Sequence, residues 1–247
     1  FCVEAKGYKT RSITKPENEV VVRGSQEAFV ENIRTNTSMI RRIINNENLV
    51  IEQLSLGKVT KTTVSFCYMK NIANEDLVNE VRFRLSNIDI DSIINSGTIE
   101  QDNSNILFPQ TFATERCDRA CNNILEGRIV ILVNGNPYAL IVPAILIDFI
   151  TSPEDINLKH QYGNLIRVIR SIAFFVAMFM PALYVAVTNF HQELLPTDLV
   201  FAISAMRRSI PFPVIVELLI MEISFELIRE ASLRVPAPIG STIGIIG

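Results

Sequence analysis

Apolar and polar positions divide the chain into a polar opening, a long mixed stretch and an apolar close. Residues 6–19 are polar, contain Pro16 and show no periodicity, which predicts a flexible lead-in over 1–23. From Gly24 the pattern changes. Phe29, Ile33, Ile40 and Ile44 lie near multiples of four, the spacing of one face of an amphipathic helix. Ser25 is a candidate N-cap, Glu27 and Glu31 sit near the positive end, and Arg41 and Arg42 near the negative end, so a helix is predicted over 26–44. Residues 59–69 are rich in Thr, Val, Phe and Tyr, and Val64, Phe66 and Tyr68 alternate, which predicts a strand. Asn74 can cap a helix carrying Leu77, Val78, Val81 and Leu85. A strand opening over 88–90, a short helix over 93–99 and a helix over 115–125 capped by Thr114 follow.

The clearest local signal comes next. Residues 128–133 and 138–142 are apolar, β-prone runs joined by Asn134-Gly135-Asn136-Pro137. Asn-Gly favours a hairpin turn because both residues tolerate positive φ. Alternating strands and helices give the fold class of the front part as α/β, with a soluble domain over 24–150. Its length allows two subdomains, divided near 87–109.

Residues 151–247 read as the start of an α-helical membrane domain. Ser171 to Gln192 form 22 residues without a formal charge, taking His191 as neutral. A helix needs about 20 mostly apolar residues to cross the hydrocarbon core, and Pro181 is tolerable in such a helix. The alternative is a buried helix of a large soluble protein. Lys159, Arg167 and Arg170 precede the span and Glu193 and Asp198 follow it, which predicts that the N-terminal domain faces the cytoplasm. Arg207 and Arg208 pull the other way, so either 199–206 is a short re-entrant piece or the rule is weakly obeyed here.

The next apolar segment, 214–233, contains Glu217, Glu222, Glu226, Arg229 and Glu230. At 100° per residue, Glu222, Glu226, Arg229 and Glu230 fall within about 100° of one another, and Glu217 falls off that stripe. Ionisable groups in a membrane helix are costly and usually face a bundle interior or a water-filled cavity. Three readings stay open: a helix lying in the interface, a polar seam toward a pore or a neighbouring subunit, and a soluble helix. Glu222, Glu226, Arg229 and Glu230 are therefore the candidate pore or subunit-contact residues.

Composition agrees with a membrane reading, with hydrophobic residues at 48%, charged residues at 20% and a mean hydropathy of +0.27. The formal net charge of −3 gives no basic footprint for nucleic acid. The four cysteines are Cys2, Cys67, Cys117 and Cys121. Cys117 and Cys121 are spaced for one helix face, which suits neither a Cys-x-x-Cys redox pair nor a four-ligand zinc site, so all four read as reduced structural thiols. There is no phosphate-binding loop, no nucleophile elbow and no His-Glu-x-x-His zinc pair, and His160 and His191 flank the span on opposite sides. The glycines of 240–247 follow a Pro-rich break and fit close packing of a further membrane helix better than a dinucleotide site. The expectation is no catalytic, cofactor-binding or metal residue, hence no cofactor and no enzyme. The start at Phe1 without Met, and the stop within an apolar stretch, predict a piece of a longer polypeptide.

Several blocks together carry a family resemblance. Val22-Arg23-Gly24-Ser25-Gln26-Glu27-Ala28-Phe29-Val30-Glu31-Asn32, then Arg34-Thr35-Asn36 and Arg41-Arg42, resemble the opening signature of the GerA-type spore germination proteins. So do Phe108-Pro109-Gln110, Thr114-Glu115-Arg116, Asp118-Arg119, Glu126-Gly127-Arg128 and the hairpin that ends at Pro143. Within the apolar part the similar blocks are PALYVAVTNFHQELLPTDL, PFP and FELIREASLRVPAPIGSTIGIIG. The chain departs where family members often have Pro-Arg (Ser25-Gln26 here) and Pro (Cys117 here). The resemblance implies a cytoplasmic α/β domain of two subdomains and several membrane helices in the spore inner membrane. It implies receptor B and C subunits, further copies of the chain and the lipid bilayer as partners, and a nutrient-gated channel that releases cations. Two alternatives stand beside this: a stage V sporulation AF-type relative that amplifies ion release, and a non-conducting membrane-anchored scaffold or binding subunit.

Overall fold

The structure is a computed structural model that describes residues 11–88, 91, 96–101, 109–158, 160–208 and 211–234. It divides into two compact units, residues 1–168 and 169–247.

The first unit is a mixed α/β domain built on one five-stranded sheet. In chain order its elements are α1 (Ile33–Ile43), β1 (Leu49–Leu56), β2 (Thr62–Met69), α2 (Glu75–Ser86), α3 (Ser96–Gln101), β3 (Phe112–Thr114), α4 (Cys117–Leu125), β4 (Ile129–Val133), β5 (Ala139–Val142), α5 (Leu146–Ile150) and α6 (Glu154–Asn157). The strands lie in the order β1-β2-β4-β5-β3, and every pairing is antiparallel. Strands from before and after 87–109 thus share one sheet.

Period-2 alternation sends successive side chains to opposite faces. On β4, Val130 and Leu132 join a core with Phe29, Ile40 and Ile124, under α1 and α4. Ile129, Ile131 and Val133 join a second core with Val78, Val81 and Leu85 of α2. Both faces of β4 are covered, so it reads as an unbroken apolar run rather than an alternating one.

The helix predicted over 26–44 begins later. Asn32 is its N-cap, accepting from the Arg34 N–H at 3.0 Å, and Ser25 is not. Residues before it are extended: Ala28 bridges Arg116, and the Phe29 N–H donates to the Glu115 carbonyl at 2.8 Å. Phe29 reaches the same core as Ile33, Ile40 and Ile44 without being helical, which is why the four-residue spacing misplaced the helix start. Glu27 lies outside the helix and pairs instead with Arg42.

Three further expectations shift. The strand predicted over 59–69 starts at Thr62, because the β1–β2 connection bends through Gly57 at φ +88° and Lys61 at φ +47°. Strand β1 was not foreseen; its outer residues are half-buried on both faces, so alternation is weak there. Thr114 ends β3 instead of capping α4, whose N-cap is Arg116. Strand β4 ends at Val133 and β5 starts at Ala139, so five residues connect the hairpin's strands, and Gly135 alone of them takes positive φ, at +91°. Asn134 instead accepts from the Ile33 N–H at 3.3 Å, tying the turn to the start of α1. Asn74 caps α2 as expected, accepting from the Asp76 N–H. The expected strand over 88–90 and helix over 93–99 lie partly outside the described residues; α3 supplies only Ser96 onward.

The second unit follows along α7 (His160–Val185), a π-helical turn (Ala186–Phe190), α8 (Thr197–Arg207) and α9 (Val214–Arg234). Residues 161–190 are long and apolar enough to cross a membrane, and Pro181 sits inside α7. Phe174, Phe175, Val176, Met178 and Phe179 all stand exposed, so the described residues do not bury this helix. At 1.5 Å per residue, α8 reaches about 17 Å, too short to cross about 30 Å of hydrocarbon.

Candidate pore or subunit-contact helix

Helix α9 carries the four residues singled out from sequence. Apolar residues surround them on most sides, among them Leu219, Ile220, Ile223 and Leu227, all exposed. Glu226 pairs with Arg229 one turn on. Glu222 and Glu230 stand exposed on the same stripe, and the Glu222 carboxylate has no hydrogen bond or ion pair among the described residues. Glu217 lies about 140° round the helix from Glu222. There Arg207 of α8 donates to it at 3.2 Å, with both side chains about a third exposed. The two faces of α9 therefore do different things: one is tied to α8, and the other presents the exposed stripe of Glu222, Glu226, Arg229 and Glu230. Ser224 and Ser232 turn their hydroxyls back to the Ile220 and Arg229 carbonyls, so they add little polarity to the outer face.

The α/β domain holds a second polar assembly that periodicity could not reveal. Arg116 is fully buried, and its guanidinium donates to the Glu19 carbonyl at 3.0 Å, the Ser25 carbonyl at 2.9 Å and the Asp118 carboxylate at 2.7 Å. Arg119 donates to the Glu19 carboxylate at 2.6 Å and lies over the Phe112 ring at 4.0 Å. Glu115 accepts from the Asn18 and Glu19 N–H groups, both at 2.6 Å. Residues 11–23 have no helix or strand, yet Glu19 and Val21 are anchored, so the expected flexible lead-in is a bound strap over its latter part. The signal was the charge density of Thr114-Glu115-Arg116-Cys117-Asp118-Arg119 at the start of a half-apolar helix.

The block Glu126-Gly127-Arg128 also acquires a physical role. Gly127 takes φ +89° just past α4, its N–H donates to the Ile124 carbonyl, and the Arg128 N–H reaches back to the Asn123 carbonyl at 3.0 Å. That is the six-to-one and five-to-two pair of a Schellman stop. A side chain at Gly127 would meet the Ile72 carbonyl at 3.1 Å. Cys67, Cys117 and Cys121 are buried and free. Among the described residues no cluster of His, Cys, Asp and Glu has the grouping of a metal site.

An α/β domain, then an apolar helix of membrane-crossing length, then a helix striped with carboxylates define the class as a membrane-associated protein with a folded domain attached. The chain belongs to the Bacillus/Clostridium GerA spore germination protein family, whose model matches residues 1–247. It is 44% identical over 245 residues to spore germination protein KA of Bacillus subtilis (strain 168), which covers 98% of this chain and 45% of that protein. Spore germination protein B1 of the same organism is 43% identical over 247 residues, 99% of this chain and 51% of that protein. The chain spans about half the length of these curated relatives. A crystal structure of the N-terminal domain of the A subunit of the Bacillus megaterium spore germinant receptor GerK3 is 46% identical, covering 48% of this chain and 97% of that one, with a TM-score of 0.41.

Proposed function

We propose that this chain belongs to the A subunit of a nutrient germinant receptor, a multi-pass protein of the spore inner membrane that helps form a nutrient-gated channel for cations. The observation that carries this reading is the uncovered carboxylate stripe of α9, Glu222, Glu226 and Glu230, in a chain 40–44% identical to several spore germination proteins. A charged side chain in hydrocarbon costs about 2.5–3.5 kcal/mol on insertion scales, so Glu222, which has no ion pair among the described residues, needs water, a partner or a proton. Further copies of the chain, with receptor B and C subunits, would close that face into a water-filled path. Carboxylates lining such a path concentrate cations and disfavour anions. Arg229 neutralises Glu226, so Glu222 is the carboxylate most open to a passing cation. The α/β domain then faces the cytoplasm of the spore core, consistent with Arg167 and Arg170 at the start of α7.

The test is the double substitution Glu222→Gln, Glu226→Gln in the whole receptor. Slow or absent cation release with normal membrane abundance supports a conducting stripe. Lower recovery of the complex with unchanged conduction per surviving complex makes the stripe a subunit contact instead. Normal release and normal assembly end the proposal for α9.

A further inference from the structure

The segment between β5 and α6 has an apolar face that the domain covers only in part. Ile145, Leu146, Ile147 and Phe149 are 48%, 59%, 62% and 47% exposed, although four large apolar side chains in five residues would ordinarily be drawn into a core. Of the four, Phe149 meets a ring of the domain, Phe112, edge-on at 5.7 Å. The one charge between Pro143 and Thr151 is turned away from that face. The Asp148 carboxylate accepts from Arg128 at 2.5 Å and from the Ile145 N–H at 2.8 Å, and both charged side chains are only about 15% exposed.

The backbone here is also spoken for. Arg119 donates to the Asp148 and Thr151 carbonyls at 3.1 and 3.3 Å. The Thr151 N–H donates to the Ile147 carbonyl, the Asp148 N–H to the Ile145 carbonyl, and the Ala144 N–H to the Gln110 carbonyl, all within 2.9 Å. With these groups paired, the segment meets the requirement that backbone polar groups be satisfied on entering lipid, where an unsatisfied one is costly.

We propose that Ile145, Leu146, Ile147 and Phe149 form an interfacial membrane anchor, inserted at the headgroup–acyl boundary of the bilayer that α7 crosses. The proposal rests on α7 lying in a membrane. The argument for lipid as the occupant is continuity along the chain. Ten residues, 151–160, separate α5 from the apolar stretch 161–190. They span at most about 35 Å when fully extended, and α6 shortens that. A face tethered so closely to a membrane helix meets the bilayer at high effective concentration.

The chain contains no tryptophan, so single replacements are clean fluorescent reporters. Leu146→Trp and Ile147→Trp test the anchor, Phe179→Trp tests α7, and Phe83→Trp, an exposed site on α2, is the soluble-face control. Each is reconstituted as the 247-residue chain in vesicles of equal phosphatidylcholine and phosphatidylglycerol, with and without acyl chains brominated near the headgroup or near the bilayer centre. The anchor predicts a blue shift and loss of roughly half the emission at 146 or 147 from shallow bromine, little from deep bromine, and none at 83. Deep quenching at 179 with no quenching at 146 and 147 overturns the anchor and leaves the spanning helix standing. No quenching at 179 removes the membrane premise itself. A blue shift at 146 and 147 without quenching means protein covers the face, and equal quenching at 83 means the whole domain collapses onto lipid; both overturn the proposal. Using two neighbouring exposed positions keeps the test decisive if one replacement fails to fold.

Discussion

Glu19 and Arg119 lie 100 residues apart in sequence, and the carboxylate of one accepts a 2.6 Å hydrogen bond from the guanidinium of the other. The side chains are 18% and 10% exposed, so the pair is largely out of water. It fastens the N-terminal strap across β3 and α4, because the second Glu19 oxygen accepts from the Thr114 hydroxyl and the Glu115 N–H.

Removing one partner of a buried pair strands the other. Glu19→Ala should destabilise the α/β domain by about 2–4 kcal/mol, with Glu19→Gln costing less because it keeps part of the hydrogen bonding. Denaturant unfolding followed by near-ultraviolet circular dichroism measures this. An unchanged midpoint in Glu19→Ala would show that the strap contributes nothing to the fold.

A second carboxylate titrates usefully. Arg82 binds Glu52 through two hydrogen bonds, at 2.6 and 3.0 Å, and Tyr68 donates a third at 2.7 Å. The Arg82 hydrogen bonds hold the Glu52 carboxyl below its ordinary range against the upward push of burial, and Tyr68 adds to the lowering. A depressed folded-state value means that the contribution is complete above the unfolded value of about 4.3 and is lost as pH falls through the folded value. The stability gap between the wild type and Glu52→Gln should therefore be widest near neutrality and should shrink below about pH 4. Both side chains are about a third exposed, so the gap is small. A gap that grows with acidity would contradict the pairing.

Burial pushes the Cys67 thiol up to about 12, with Cys121 beside it adding to the shift. Cys117 is raised as well, first by its hydrogen bond with Cys121 and then by burial. Thiolate is the reactive form, so alkylation of Cys67 and Cys117 at about pH 8 should proceed only as fast as the domain opens. Mass spectrometry of iodoacetamide-treated protein, native against urea-unfolded, checks this. Rapid native labelling of Cys67 would refute it.

The parts of the fold that sequence revealed are those with local physical causes. Asn74 caps α2 because its own side chain reaches the Asp76 N–H, and the apolar runs flanking Asn134-Gly135 pair as strands. The α7 span was legible because 22 residues without a charge leave few alternatives. What escaped was non-local. Phe29 keeps helical spacing with Ile33 but earns its burial from an extended segment hydrogen-bonded to Glu115, more than eighty residues on. Among the described strands β1 lies at the sheet's edge beside β2, and its half-buried residues leave no strong pattern. For the candidate site, the stripe on α9 followed from helical geometry alone, whereas its counterpart, the hold of Arg207 on Glu217, depends on where α8 turns back.

The order of the sheet also sets a timetable for synthesis. Its central strand β4 pairs with β2 through contacts such as Phe66 with Ile131, and β3 finds its only neighbour in β5, which is made after it. A nascent chain of which only residues up to Gln110 have emerged therefore holds the β1–β2 hairpin with α1, α2 and α3, and the β2 edge of that hairpin lacks the strand β4 with which it will pair. Closing such distant pairs is entropically slow, and unpaired strand edges are exposed while it waits. All the pairings become available once Val142 has emerged from the ribosome. A pause that falls once residue 142 has cleared the ribosomal exit tunnel should raise the yield of folded protein, and a pause that falls when only residues up to 110 have cleared it should lower it.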